Sequence, residues 1–488
     1  MTSILPNVDG RILTGQLNLG EPGQVEQIGI VGVSTAGSSA AVSIIDRGKL
    51  DQLGTLYGNG PLVRAIRDAF QAGAVLAKVL RIETAQNGTA GTADTSSHTG
   101  EGTVGFTGNP NDDYDIVLEF VLGGEVGVAT FRWSLDSGNT WSDELATAAS
   151  VTLTGTNLAA TFVDGVPAED SFVAGDEVRL YPKGPAATST EFNTAIDKFR
   201  DQAWNLDGQG PHLILVAGTT GDTVWQACGT KATAFHAAHR YVAFICTARG
   251  PTSAETTSEW VEALLAAKTA SSDYVGIVAG RIELADFIGY RRECNAAGNY
   301  MGRLVQIPAS ESPARTKADR AFVGPIAGAT ALRPALAGVG ASPIPNISDA
   351  EIKALSDAGY LTTRTFFGLR GVYYTDGRMS SSPSSDLAEI DRVRPALEAL
   401  HAARVATIQE LNGDASPAGL RQIEATAQGA LNRLVARGRV AGAQVTVDIA
   451  QNVVDQGFVG VDIALQFTPK AKWIQLTARW ARVLPVAA

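Results

Sequence analysis

The side chains best suited to chemistry are few in this sequence. His236 and His239 stand three residues apart in a stretch that reads as helix, and Cys228 is on the same stretch. Two imidazoles at that spacing share a helix face and would hold a divalent cation if further ligands joined them. No Cys or acid completes a recognisable set nearby, so the expectation is two structural histidines and no metal. Cys228 is expected to pack as a small apolar group. Asp112, Asp113 and Asp115 bring three carboxylates together. The D-x-D-x-D-G spacing and closing Glu of a calcium loop are missing, so a solvated turn is expected. There is no G-x-x-x-x-G-K-[ST] phosphate cradle, no dinucleotide fingerprint and no G-x-S-x-G elbow. These motifs mark no catalytic residue and no cofactor.

Bulk properties narrow the classes further. A length of 488 residues suits roughly two to four domains, and 45% hydrophobic content is that of an ordinary globular chain. No apolar run reaches the roughly 18 residues of a membrane span. The opening MTSILPNVDGRILTG lacks the basic and apolar regions of a signal peptide. Cys228, Cys246 and Cys294 are widely spaced and odd in number, which fits a reducing compartment. The net charge of −11 is uneven: residues 85–186 hold 15 acidic and 3 basic side chains, a net of −12. A nucleic-acid binder needs a basic patch, and the rest of the chain is nearly neutral. The pattern is that of a solvated acidic module on a neutral body.

The body reads as α/β, with a mostly parallel or mixed sheet flanked by helices. QIGIVGVS is a buried strand. Pro61 opens a helix whose apolar face is Leu62, Val63, Ile66, Ala69 and Phe70, and VLAKVLRI is the next strand. After residue 186 helices alternate with HLILVAG, YVAFICTA and YVGIVAG, which recur about every 30 residues, the length of a βα unit. Their continuous apolar runs suit strands covered on both faces. Between these halves lie short strand-like runs, among them YDIVLEFVL and GVATFRWSL, separated by turn signals. They predict an inserted small β-sandwich, with Trp133 and Trp141 flanking a hairpin turn. Beyond Ala285 the signals thin: 299–344 is rich in Gly, Ala and Pro, and GPIAGATALRPALAGVGASPIP reads as a long loop. Asp386 and Glu389 form a candidate capping box for a long helix containing Pro395. A last helix starts at Ser416-Pro417 and stops at Gly438.

Both ends of the sequence read as extended. Ile12, Leu17 and Leu19 alternate in a Gly-jointed segment too short and polar to form a core. Near the other end Val461, Ile463, Leu465 and Phe467 share one strand face, and Ile474, Leu476, Ala478 and Trp480 share another. Such strands invite pairing with another chain. The candidate subunit-interface residues are therefore Ile12, Leu17, Leu19, Ile463, Leu465, Phe467, Ile474, Leu476 and Trp480. If each subunit both gives and accepts strands, the contact is heterologous and propagates.

IGIVGVSTAG followed by GTLYGNGPLVRAIRDAFQAGAVLAKVLRI resembles the opening of contractile phage tail sheath proteins. That family shows a first strand, a helix ending in F-x-x-G, and a V-x-R-hydrophobic strand before a variable insertion. Here these are Ile28 to Val33, Phe70 to Gly73 and Val79 to Ile82. The block from Ser416 through VTVD to the final alternating strands is similar as well.

The resemblance implies a division into an N-terminal arm (1–26), a discontinuous α/β core (27–84 and 187–440), an inserted acidic surface domain (85–186) and exchanged C-terminal strands (441–488). It also implies a sleeve of stacked six-subunit rings around a tail tube. The partners would be further copies of the chain, the tube protein, and baseplate and terminator proteins, with no nucleic acid and no membrane insertion. The sleeve would assemble in a host cytoplasm, belong to a virion tail, and contract to drive the tube through an envelope. Two other readings stand beside it: an α/β enzyme with an unrecognised site, and a surface glycan-binding or adhesion protein using the tryptophan hairpin.

Overall fold

The computed structural model describes residues 27–136, 138, 140–206, 210–250, 255–285, 291–317, 329–333, 347–453 and 458–472. The chain divides into two compact units, Met1–His401 and Ala402–Ala488. The first unit opens with strand β1 (Ile28–Val33), buried along its whole length, and strand β2 (Ser43–Asp46). A short helix α1 (Leu53–Tyr57) leads to α2 (Pro61–Gln71) and strand β3 (Leu76–Ile82). Pro61 sits in the first turn of α2, where its missing N–H costs nothing.

An antiparallel β region follows: β4 (Asp94–Ser97), β5 (Thr103–Gly108), β6 (Ile116–Leu122), β7 (Thr130–Ser134), β8 (Leu145–Ala146), β9 (Val151–Leu153), β10 (Leu158–Val163) and β11 (Glu177–Leu180). They form two sheets, ordered β5-β10-β9 and β4-β11-β6-β7-β8. Side chains from both sheets share a core of their own. Its centre is aromatic, with Phe120 stacked on Phe172 at 4.8 Å and Phe131 tilted against Phe162 at 4.8 Å. This is a small sandwich.

The chain then returns through α3 (Ser189–Ala203), β12 (Leu213–Val216), α4 (Asp222–Ala237), β13 (Ala243–Thr247), α5 (Thr257–Ala267) and β14 (Val275–Val278). The remainder of the first unit carries β15 (Arg281–Ala285), β16 (Arg291–Asn295), α6 (Ala296–Gln306), β17 (Ala329–Arg333), α7 (Asp349–Asp357), β18 (Tyr360–Leu361), β19 (Thr363–Thr365) and β20 (Val372–Tyr374). Helix α8 (Ile390–Thr407) carries the chain into the second unit. It contains Pro395 and begins four residues after Asp386, later than a box capped by that residue would start it. The second unit holds α9 (Pro417–Ala436), β21 (Gly442–Thr446) and β22 (Asp462–Gln466).

The main sheet has the order β18-β14-β13-β12-β1-β3-β2, with only β2 antiparallel to its neighbour. The fold is therefore α/β with a mostly parallel sheet and several small antiparallel ones. Strand order reverses between β1 and β12, because the chain runs outward through α2 to β3 and returns to the other side of β1.

The Gly-, Ala- and Pro-rich stretch from residue 299 holds most of α6, and the expected loop contains β17, which joins β15 and β16 in a sheet ordered β16-β15-β17. The glycines of α6 are there for close packing. A Cβ at Gly298 would lie 2.7 Å from Asp68 Cβ, and one at Gly302 would lie 2.1 Å from the Ala69 carbonyl oxygen of α2. Gly302→Val should push the two helices apart and destabilise the first unit by about 1–3 kcal/mol or more. Chemical denaturation reads this as a lowered midpoint with an unchanged slope.

Candidate assembly site

Helix α9 is amphipathic: Leu420, Ala427, Ala430, Leu431 and Leu434 are buried. The Ser416 hydroxyl accepts from Gly419 N–H at its start, and Gly438, at φ 69°, follows its end. Strand β21 packs on this helix with Val445 buried. Strand β22 pairs with β21 antiparallel, Val445 opposite Ile463 and Ala443 opposite Leu465. Ile463, Leu465 and Phe467 are half-buried, while Asp462, Ala464 and Gln466 are exposed, the alternation of a strand with one covered face.

The edges of this two-stranded sheet differ. On β21, Ala443 O accepts from Gln428 Nε2 at 3.1 Å and Val445 N–H donates to Gln428 Oε1 at 2.8 Å. The backbone groups of residues 443 and 445 therefore point away from β22, and those of 442, 444 and 446 point toward it. By the same alternation Ile463 and Leu465 turn their N–H and C=O groups away from β21. Among the described residues nothing pairs with them.

Of the nine candidate interface residues, Ile463, Leu465 and Phe467 thus share one strand and its immediate continuation. Ile12, Leu17, Leu19, Ile474, Leu476 and Trp480 lie outside the described residues. Gln428 was missed by sequence reasoning, since a polar residue on a helix carries no mark of a strand partner 15 residues on.

Other candidate chemistry resolves into structure. His239 is not on the helix of His236: α4 ends at Ala237, and His239 is a left-handed residue at φ 60°. The His236 Nε2 faces Val242, 3.1 Å from its N–H and 2.9 Å from its carbonyl oxygen. Cys228 is fully buried, its Sγ 3.5 Å from Cys246 Sγ, and burial pushes its thiol pKa well up. The Asp112 turn is not solvated. Asp112 is buried and paired with Arg64 of α2 at 2.7 Å, while Asp113 accepts from Gly184 N–H at 2.8 Å. The Asp112–Arg64 pair joins the inserted region to helix α2, while the Asp113–Gly184 bond ties two ends of the insertion together. Trp133 packs on the sandwich core, and the Arg132 guanidinium covers the Trp141 ring at 4.5 Å.

An α/β enzyme would place its ligand where strand order reverses, beyond the carboxyl ends of β1 and β12. A crevice of about 410 Å³ lies there, lined in part by Val33, Arg64, Asp113, Val216 and Arg249. Its arginines already hold carboxylates: Arg64 holds Asp112, and Arg249 grips Glu255 with two bonds of 2.7 Å. Among the described residues no His, Cys, Asp and Glu group has metal-binding geometry, and no helix is long and apolar enough to cross a membrane.

An α/β body, an antiparallel sandwich between β3 and α3, and a helix-backed strand pair near the end define a class of fold that solved structures share. The chain is similar to a chain of the sheath complex of an extracellular contractile injection system, PVC, in the contracted state, at 11% identity. The match covers 99% of each chain with a TM-score of 0.54. It is similar to a chain of the contracted helical sheath of the anti-feeding prophage at 11% identity, covering 98% of this chain and 99% of that one, with a TM-score of 0.53. A chain of that prophage's baseplate matches at 10% identity, 99% and 100% coverage and a TM-score of 0.52. At these identities the likeness is one of fold, that of contractile sheath proteins. Residues 5–378 match the family model described as DUF2586, N-terminal domain, and the chain belongs to that family. No curated protein sequence matches it.

Burial holds the His236 pKa below its ordinary value, partly opposed by the bond to Val242. The folded chain therefore resists a proton that the unfolded chain accepts below about pH 6.5. The stability tied to this ring is complete above that pH and is lost as pH falls through the lower folded value. His236→Gln should flatten the acid side of the stability profile, read from urea midpoints between about pH 5 and 8. An identical profile in the variant would contradict the assignment.

Proposed function

We propose that the chain is the structural subunit of a contractile sheath, stacked as six-subunit rings around a tube, with no catalytic step of its own. The observation that carries this reading is the fold match to sheath subunits over nearly the full length of both chains. The outer edge of β22, unpaired among the described residues, supports it, because such an edge is a ready template for another chain. The segment containing Ile474, Leu476 and Trp480 of one subunit enters beside β22 of the next, with the segment of Ile12, Leu17 and Leu19 as the second exchanged arm. Each large apolar side chain buried there contributes roughly 1.5–3 kcal/mol, repeated at every subunit. The other partners are the tube protein and the baseplate and terminator proteins at the sleeve's ends. The sleeve belongs to a phage tail and contracts to drive its tube through an envelope for genome delivery.

Contraction needs no nucleotide in this scheme. A sleeve assembled with poorer interfaces holds free energy that better interfaces release when the rigid bodies rotate and slide. The exchanged arms keep neighbours joined while they do so.

The sandwich domain faces away from the tube. Its support is the net charge of −12 over residues 85–186. At the end remote from the Arg64–Asp112 junction, Val163 is 60% and Val166 93% exposed. The same exposed end favours a second role for this domain, in adhesion.

Truncation after Pro469 should leave a folded protein that forms no sleeves by electron microscopy. Ile474→Asp with Leu476→Asp should do the same, because it buries charges without partners. Normal tubes from the truncated chain would show that strand exchange is not the joint. Deleting residues 89–185 with a short Gly/Ser bridge should leave polymerisation intact. A folded deletion variant unable to assemble would reject the outward placement.

A further inference from the structure

The outer edge of β21 is occupied by side chains of α9 in a pattern that imitates a strand. Gln428 gives its amide N–H to Ala443 O at 3.1 Å and takes Val445 N–H on its amide oxygen at 2.8 Å. A C=O of one residue and an N–H two residues on are the pair that a neighbouring strand would take up. Glu424, one helical turn earlier, accepts from Val447 N–H at 3.3 Å. The spacing fits: four residues of helix rise about 6 Å, and two residues of strand advance about 6.6 Å. Asn432 Oδ1, one turn further on, accepts from Gln428 Nε2 at 2.8 Å and holds the amide in place. The first unit repeats the device, since Gln202 of α3 donates to Ala40 O at 2.8 Å and accepts from Val42 N–H at 2.9 Å in the backbone leading into β2.

We infer that Gln428 and Glu424 are edge guards that close β21 to strand addition. They leave the β22 edge, at Ile463 and Leu465, to take the residue 473–480 segment of a neighbouring copy. The identity of the arriving strand rests on the sheath reading; the closure of β21 does not. Sequence alternation fits this occupant: as an extended strand the segment would put Ile474, Leu476, Ala478 and Trp480 on one face, matching the spacing of Ile463, Leu465 and Phe467 on β22, and Trp473, Gln475, Thr477 and Arg479 on the other. With one acceptor edge, the 473–480 arm has one place beside β22 and one register, so the polymer stays unbranched. With β21 open, the same arm has two places to bind.

The test uses the full-length chain with Gln428→Leu, which keeps helix propensity and removes both bonds. Gln428→Met, which also removes both bonds, is the fallback if the first variant does not fold. In unassembled protein, amide hydrogen exchange at Val445 should quicken about five- to ten-fold, the loss of one hydrogen bond's protection, and Glu424→Leu should do the same at Val447. Under assembly conditions the Gln428 variants should give branched or laterally fused polymers where the unmodified chain gives single tubes. Unchanged exchange in both variants would overturn the guard, as would faster exchange with tubes still unbranched. If the unmodified chain forms no tubes, the sheath reading falls by itself. The guard is then decided by exchange together with light scattering, where only the variants should self-associate, and variants that stay monodisperse would overturn it.

Discussion

A β-strand satisfies its backbone only if something lies along both of its edges, and this requirement organises the molecule from the main sheet to the last described strand. In the parallel sheet β1 has β3 and β12 on its two sides, and the outermost strands, β2 and β18, are only four and two residues long. A glutamine on α3 serves the backbone leading into β2, and a glutamine on α9 serves β21. At β22 the described residues supply no partner for the outer edge. There the same requirement becomes a reason to associate.

Much of the parallel sheet was legible because its strands are short apolar runs bounded by helices with clear limits. β12, β13 and β14 are buried at every residue. Ser416-Pro417 and Gly438 bracket α9 as cap and stop signals. S/T-x-x-E boxes at Thr188, Thr256 and Ser348 each cap a helix, so those starts were written in the sequence too. Helix α6 was hidden because Gly298 and Gly302 look like loop residues until α2 is laid against them. The Asp112 turn looked solvated because Arg64 is 48 residues away, and His239 looked helical because nothing local announced the left-handed turn after Ala237. At the assembly site, period-2 alternation revealed the apolar face of β22. That the β21 edge is covered depended on Gln428, whose partners only the fold brings near.

The link between the sandwich and the parallel sheet has a similar logic. Glu191 caps α3 and also accepts from Ala85 N–H at 3.0 Å and from the Thr84 hydroxyl at 2.9 Å. Burial raises its pKa, but these bonds and those from Thr188 outweigh it and hold the carboxyl below its ordinary range. One carboxylate therefore anchors the chain where it leaves the sheet and the helix that follows its return. Together with the Arg64–Asp112 pair, it ties the sandwich to the α/β body within the first unit.

The central claim is that subunits are joined by strands passed from one to the next at β22. Cryo-electron microscopy of the assembled full-length chain tests it most directly, by tracing which chain supplies the strand hydrogen-bonded to Ile463 and Leu465. The account predicts continuous density from that strand into a neighbouring subunit, with β21 still covered by α9. A strand that traces back to its own chain at every position, or a tube with no strand beside β22, would contradict it.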